Sequence, residues 1–295
     1  MRRISLAVLV LLLFMPSTSQ SQAQTARLRV LLTNDDGIDA EGLQALVRAF
    51  APVAETYVIA PLANKSGSTN YISAIATRTL EVEQRDLGEG ITAYGVAGFP
   101  ADAIVFALRG LLVDNPPDVV ISGVNGGPNL SDDWNLSGTV GAAQIAAFFG
   151  VPAIAVSGYS DEHPETLAAL SSWVVELASS PLVRNLEPGQ YLTVSVPRVP
   201  AAQIAGVDIV RRGPRPWRLQ LSRAERPASA PSRQVWSLRF EPRQLEPPPG
   251  TDLAAYAANR IAIVAMRADE HDPLLSTLLA EAASQIPAWK APGGG

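Results

Sequence analysis

The chain is predicted to be an α/β protein built on a doubly wound, mostly parallel sheet. Short apolar runs alternate along it with segments whose apolar residues recur at helical spacing. Several of those runs are apolar throughout, so both faces of the sheet must be covered. Polar loops follow the strands at Thr33, Pro61 and Ser122. In such a sheet they share the edge where ligands bind.

The elements follow in order. Leu28 to Leu32 reads as a buried strand running into the polar turn Thr33 to Gly37. Leu43, Leu46, Val47 and Phe50 mark a helix, with Asp39 as its expected N-cap. Thr56 to Ala60 is a second strand, and Asn64 to Asn70 a Gly/Ser/Asn loop. Pro100 opens a helix carrying Ile104, Leu108, Leu111 and Leu112. Asp118 to Ser122 is a strand, and Gly123 to Leu136 a long polar loop. A small-residue helix over Val140 to Phe149 leads to a strand over Val151 to Ser157. Leu167, Leu170, Val174 and Leu177 give another helix, and Tyr191 to Val196 another strand. Prolines then crowd the chain from Pro214 to Pro249, around strand-like pieces such as Val235 to Phe240. These are expected to form extended hairpin arms. Ile261 to Met266 is expected to return as a strand, and Leu274 to Ala283 as a helix.

The division expected is a signal segment over 1–23, a catalytic domain over 24–197, and arms, a returning strand and a tail over 198–295. Arg2 and Arg3, the apolar run Ile4 to Met15, and small residues at Ser21 and Ala23 make the pattern of a secretory signal. The apolar run is shorter than the roughly 20 residues that span a membrane. The expected location is therefore periplasmic or extracellular, with no membrane partner.

Composition narrows the chemistry. The formal net charge is −5, against a nucleic-acid binder that must neutralise phosphates. With no cysteine and only two histidines, His163 and His271, thiolate sites and three-histidine sites are excluded. Any metal must be held largely by oxygen, which suits a hard cation.

Four segments can carry chemistry. Asn34-Asp35-Asp36-Gly37 sets two carboxylates side by side; it is either a capping turn or a cation site. Ser66-Gly67-Ser68-Thr69-Asn70 offers free amides and hydroxyls, or is an ordinary loop. Asn125, in Ser122 to Asn129, brings an amide oxygen to the end of a buried strand, with glycines that allow close approach. Ser137-Gly138-Thr139 opens a helix whose N-terminus would receive a phosphate, or is simply its cap. Their convergence on one sheet edge points to metal-assisted hydrolysis.

The order and spacing of these segments resemble the SurE family of 5′/3′-nucleotidases. The likeness runs through Leu31 to Gly37, Ala60-Pro61, Asn64 to Ser68, Gly98-Phe99-Pro100-Ala101-Asp102, Ser122 to Leu130 and Ser137 to Ala143, then more faintly Gly250-Thr251-Asp252. It implies a Rossmann-like domain with C-terminal arms that assemble a homodimer or homotetramer. It implies hydrolysis of nucleoside 5′- and 3′-monophosphates, and of short polyphosphate, with one Mg, Mn or Co ion per subunit. The metal ligands implied are Asp35, Asp36, Ser66 and Asn125, with the two aspartates catalytic. Asn64, Gly67, Ser68, Gly126, Asn129, Ser137, Gly138 and Thr139 are then the expected phosphate neighbours. The chain departs from the family pattern at Leu62, where an acidic residue is usual, at Glu41, where proline is usual, and at Val264-Ala265-Met266. The rival class is a non-catalytic periplasmic nucleotide- or phosphate-binding protein, which would keep the loops without needing both carboxylates.

Overall fold

The computed structural model describes residues 27–224, 234–269, 276, 277 and 281. The expected signal segment lies outside them, as does the helix expected over Leu274 to Ala283 apart from Ser276, Thr277 and Glu281, which are helical.

The first half of the sheet is laid down by β1 (Arg29–Thr33), α1 (Glu41–Phe50), β2 (Glu55–Pro61), a single turn α2 (Ala74–Thr77), β3 (Val82–Arg85) and β4 (Ile91–Val96). The chain then crosses back through α3 (Pro100–Phe106) and a π-helical turn (Ala107–Leu111) to β5 (Val119–Asn125). A 3-10 turn (Ser131–Asn135), α4 (Gly138–Phe148), β6 (Ala153–Ser157), α5 (Pro164–Ser179), α6 (Pro181–Arg184) and β7 (Gln190–Ser195) follow. The remainder comprises β8 (Val207–Ile209), β9 (Trp217–Arg223), β10 (Trp236–Pro242), α7 (Asp252–Ala257) and β11 (Ile261–Arg267).

Nine strands form one sheet in the order β3-β4-β2-β1-β5-β6-β7-β11-β8. From β4 to β7 every neighbouring pair is parallel, while β3 and β11 pair antiparallel. The strand order reverses at β1 and β5, where the chain leaves β1 on one side and returns on the other. That is the crevice where doubly wound sheets bind ligands. Both faces are covered, as the apolar strands require. Leu32, Ile121 and Ile154 pack into one core with Leu43, Leu46 and Phe50 of α1 and Leu170 and Val174 of α5. Leu31, Val120 and Ala153 pack into the other with Ile104 of α3 and Ala142, Ala143 and Ala146 of α4. Phe50 is fully buried, and its truncation to alanine is expected to cost about 3–5 kcal/mol.

The structure revises several expectations. The N-cap of α1 is Ala40, not Asp39, whose carboxylate is drawn outward to Arg85 of β3 at 2.9 Å. The loop expected from Gly123 is strand as far as Asn125, and its far end is the 3-10 turn. The helix expected through Leu112 stops at Phe106 and widens into the π-helical turn. The helix α4 begins two residues early because the Ser137 hydroxyl accepts the Val140 amide at 3.1 Å. Among the described residues beyond Pro197, only the strands β9 and β10 leave the main sheet, as an antiparallel hairpin. Strands β8 and β11 rejoin it. No helix among the described residues is long and apolar enough to cross a membrane.

Candidate active site

The turn after β1 is built before any chemistry is asked of it. Asn34, fully buried, donates to the Gly37 carbonyl at 2.9 Å and accepts the Gly37 amide at 3.2 Å. Gly37 sits at φ +113°, a conformation glycine adopts without a Cβ penalty. This brace presents both Asp35 and Asp36 beyond the strand end. The Lys65 amide donates to the Asp35 carbonyl at 2.6 Å, which draws the Asn64–Asn70 loop over the same edge.

That loop lies against α4 because two glycines one helical turn apart leave room for it. A Cβ on Gly141 would stand 2.0 Å from the Thr69 carbonyl oxygen. One on Gly138 would stand 2.7 Å from the Ser68 hydroxyl and 2.8 Å from the Asp35 Cβ. The small-residue character of this helix therefore answers to packing at the site as well as to the core.

Each carboxylate has its own set of donors. Asp35, 3% exposed, accepts the hydroxyl and the backbone amide of Thr139 at the N-terminus of α4. Burial pushes its carboxyl above the usual aspartate range. The Thr139 hydroxyl opposes that rise and the charge of Asp36 adds to it. Burial also raises Asp36, against the pull of the Gly126 amide, the Ser66 hydroxyl and the Asn64 side chain. Among the described residues, no lysine or arginine forms an ion pair with either aspartate. Two adjacent carboxylates, each partly desolvated and without a cationic partner, favour a cation that would lower both pKa values.

The remaining donors fit a hard divalent ion. Asn125 ends β5 and gives its side-chain N–H to the Gly127 carbonyl at 2.8 Å, which orients its amide oxygen away from that bond. Asp35, Ser66 and Asn125 line one cavity, of about 520 Å³. Asp36 is joined to them through Ser66. The set is two carboxylates, a hydroxyl and an amide, all oxygen, as magnesium or manganese prefers. The residues present therefore fit such an ion.

The other residues picked out in the sequence gather here with distinct local roles. Gly67, Asn129 and Ser137 line the cavity. Asn129 gives its amide N–H to Ser157 at 2.7 Å. The Ser68 hydroxyl is buried and has no hydrogen-bond partner among the described residues. Asn64 and Gly126 hold Asp36, Thr139 holds Asp35, and Gly138 gives room to Asp35 and Ser68.

Asp102 and Asp252 lie elsewhere and do structural work. Asp102 is fully buried and accepts the Ser73, Ala74 and Phe99 amides and the Ser73 hydroxyl. Asp252 accepts the amides of Ser131, Gly213 and Leu253, tying the root of the hairpin to the 3-10 turn.

Four residues of the cavity wall were not singled out from sequence: Asp133, Leu136, Trp217 and Phe240. The Trp217 indole N–H donates to Asp133, a contact across 84 positions of chain. Burial raises the Asp133 carboxyl, opposed by that N–H. Alternating apolar residues in β9 and β10 were a signal for a hairpin, but nothing local tells that its root closes this cavity.

The family model described as survival protein SurE matches residues 30–219. The chain is 34% identical over 257 residues to a protein of Aliivibrio fischeri named 5′-nucleotidase SurE, covering 86% of this chain and 95% of that one. It is 40% identical over 190 residues to a 5′/3′-nucleotidase SurE of Cronobacter sakazakii, covering 64% and 71%. The solved structure of a SurE protein from Aquifex aeolicus aligns with a TM-score of 0.71 at 26% identity, over 86% of this chain and 99% of that one.

Proposed function

The chain belongs to the SurE family, and from that premise we propose that it is a nucleotidase releasing phosphate from nucleoside 5′- and 3′-monophosphates. The observation that carries this reading is the Asp35–Asp36 pair. It lies where the strand order reverses, without a cationic side chain among its described partners, beside a cavity large enough for a mononucleotide.

We place one divalent cation, Mg, Mn or Co, on Asp35, Asp36, Ser66 and Asn125 of each subunit. When bound, it supplies Lewis-acid polarisation of the phosphate and acidifies water. The protein does the rest. The Thr139 hydroxyl holds Oδ1 of Asp35, and Asp35 or Asp36 takes the proton of the attacking water. Gly67, Asn129 and Ser137, which line the cavity, face the substrate phosphate, and Ser68, Gly138 and Thr139 lie behind them. The positive end of α4 favours charge that develops there. Asn64 and Gly126 act through Asp36, which they hold in place. Short polyphosphate, which presents the same terminal group, is a further substrate.

The hairpin supports an assembly. Leu219, Leu221, Trp236 and Leu238 are exposed on one face of β9 and β10, beyond the cavity wall. We read residues 198–295 as carrying the arm through which two or four copies associate, with 24–197 as the catalytic domain. Sedimentation of a Leu221→Lys, Leu238→Lys variant tests this, and an unchanged oligomer would overturn it. Residues 1–23 are read as an export signal, so that the protein works in the periplasm or outside the cell. A mature N-terminus near Gln24 on protein recovered from its host would support that.

The deciding measurement is phosphate release from 5′- and 3′-mononucleotides and tripolyphosphate. It is made after chelator treatment, with Mg²⁺, Mn²⁺ and Co²⁺ returned singly. Metal-restored release from mononucleotides is expected. No release under any condition would sink the reading.

A further inference from the structure

We propose that Trp217 and Phe240, at the root of the hairpin, form an aromatic platform on which the nucleobase of the substrate stacks. The inference rests on the nucleotidase reading and names what selects the substrate. The two rings line the same cavity as Asp35, Ser66 and Asn125, so one ligand can meet carboxylates at one end and aromatic surface at the other.

Three features make them a wall with a fixed position. The rings meet edge to face, with centroids 4.8 Å apart and planes at 80°. The only polar atom of the indole is already used, because its N–H donates to Asp133. Arg215 stands over the indole at 5.4 Å and pairs with Asp132 at 3.3 Å, joining the same strand root to the 3-10 turn. Phe240 is nonetheless 54% exposed, which leaves apolar ring surface uncovered at the cavity wall.

The chemistry that fits is a flat aromatic ring attached to a phosphomonoester. Every base offers a π face, so a stacking platform holds purines and pyrimidines alike. The expected behaviour is low discrimination among bases but clear preference for a base over none.

The test compares AMP with ribose 5-phosphate, which has the same ester and no ring to stack, in the metal-loaded enzyme. Trp217→Ala and Phe240→Ala are each expected to raise KM for AMP about 5- to 100-fold, the range of one base–aromatic stack. KM for ribose 5-phosphate should stay within about twofold. Trp217→Phe keeps a ring to stack on and loses the N–H, so its KM for AMP should lie well below that of Trp217→Ala. Should Trp217→Ala fail to fold, Phe240→Ala carries the same comparison. Equal losses on both substrates, or Trp217→Phe as impaired as Trp217→Ala, would mean that Trp217 only docks the hairpin, and the platform is wrong. Wild-type enzyme that treats AMP and ribose 5-phosphate alike would overturn it too. Wild-type enzyme that hydrolyses neither removes the nucleotidase reading itself, a distinguishable failure.

Discussion

The two ends of the cavity are built in opposite ways. At the carboxylate end, Asp35 lies buried between a strand terminus and a helix terminus, with the Ser66–Asn70 loop packed onto glycines of α4. At the aromatic end, Trp217 and Phe240 stand on a two-stranded ribbon outside the main sheet, attached by a few polar contacts at its root. Groups that must meet a phosphorus atom and a cation at fixed distances are placed on the least yielding part of the fold, where several elements constrain each. Groups that only offer a surface to a flat ring sit on an element that has little packing of its own. A stack tolerates sliding, whereas coordination does not.

The largest effect expected is at the rigid end, and it separates function from stability. Asp35→Asn should lower turnover by about 10³-fold, the scale of several kcal/mol of charge stabilisation. Burial holds the Asp35 carboxyl above its ordinary value. Its contribution to folding is therefore complete below the unfolded-state pKa of about 3.9 and is lost as pH rises through the raised folded value. Asparagine carries no charge to desolvate. Chelated Asp35→Asn should thus melt at or above wild type at neutral pH, with a flatter melting profile in the mildly acidic range. Wild type should gain about 5–10 °C from metal at a hundred times its dissociation constant, and the variant much less. A chelated variant that melts well below wild type would show that the carboxylate is a structural group instead.

Gly141→Ala comes next, and it attacks the packing that makes this end rigid. Its Cβ would meet the Thr69 carbonyl at 2.0 Å, a backbone atom that cannot rotate away. The loop must lift, at a cost of about 1–3 kcal/mol by urea denaturation. Ser66 lifts with it, so the metal-dependent rise in melting temperature should shrink as well. Thr139→Val is gentler. It removes the hydroxyl that orients Asp35 without adding bulk, and is expected to weaken metal binding about 10- to 100-fold by titration. Unchanged affinity would mean that Asp35 is positioned by the helix terminus alone.

The same contrast governs what could be read from sequence. The strands β1, β5 and β6 and the helices α1 and α5 are legible because burial on one or both faces leaves an apolar pattern. The strand β3 is not, since Val82-Glu83-Gln84-Arg85 is a largely exposed edge with no apolar run. The nearness of the four polar segments follows from strand order, since each lies after a strand or opens a helix at one edge. What each donor binds does not follow. Thr139 reads as a phosphate ligand at a helix N-terminus, yet its hydroxyl serves Asp35, 104 positions away. The Trp217–Asp133 contact is as remote, and the apolar alternation of β9 gives only the ribbon, never its docking place.

The smallest effect tests how lightly the ribbon is held. Arg215 and Asp132 pair at 3.3 Å with side chains 49% and 35% exposed. A pair so open to water contributes under about 1 kcal/mol and is screened within roughly 8 Å at physiological salt. The root has firmer ties. Asp252, 3% exposed, accepts the Gly213 amide at 2.8 Å and the Ser131 amide at 2.6 Å, and Trp217 donates to Asp133. Arg215→Ala should therefore leave KM for AMP within about twofold. Any shift in melting temperature should vanish at high salt. Should Arg215→Ala raise that KM as far as Trp217→Ala, the aromatic wall depends on a surface ion pair for its place, and AMP binding itself should then weaken as salt rises.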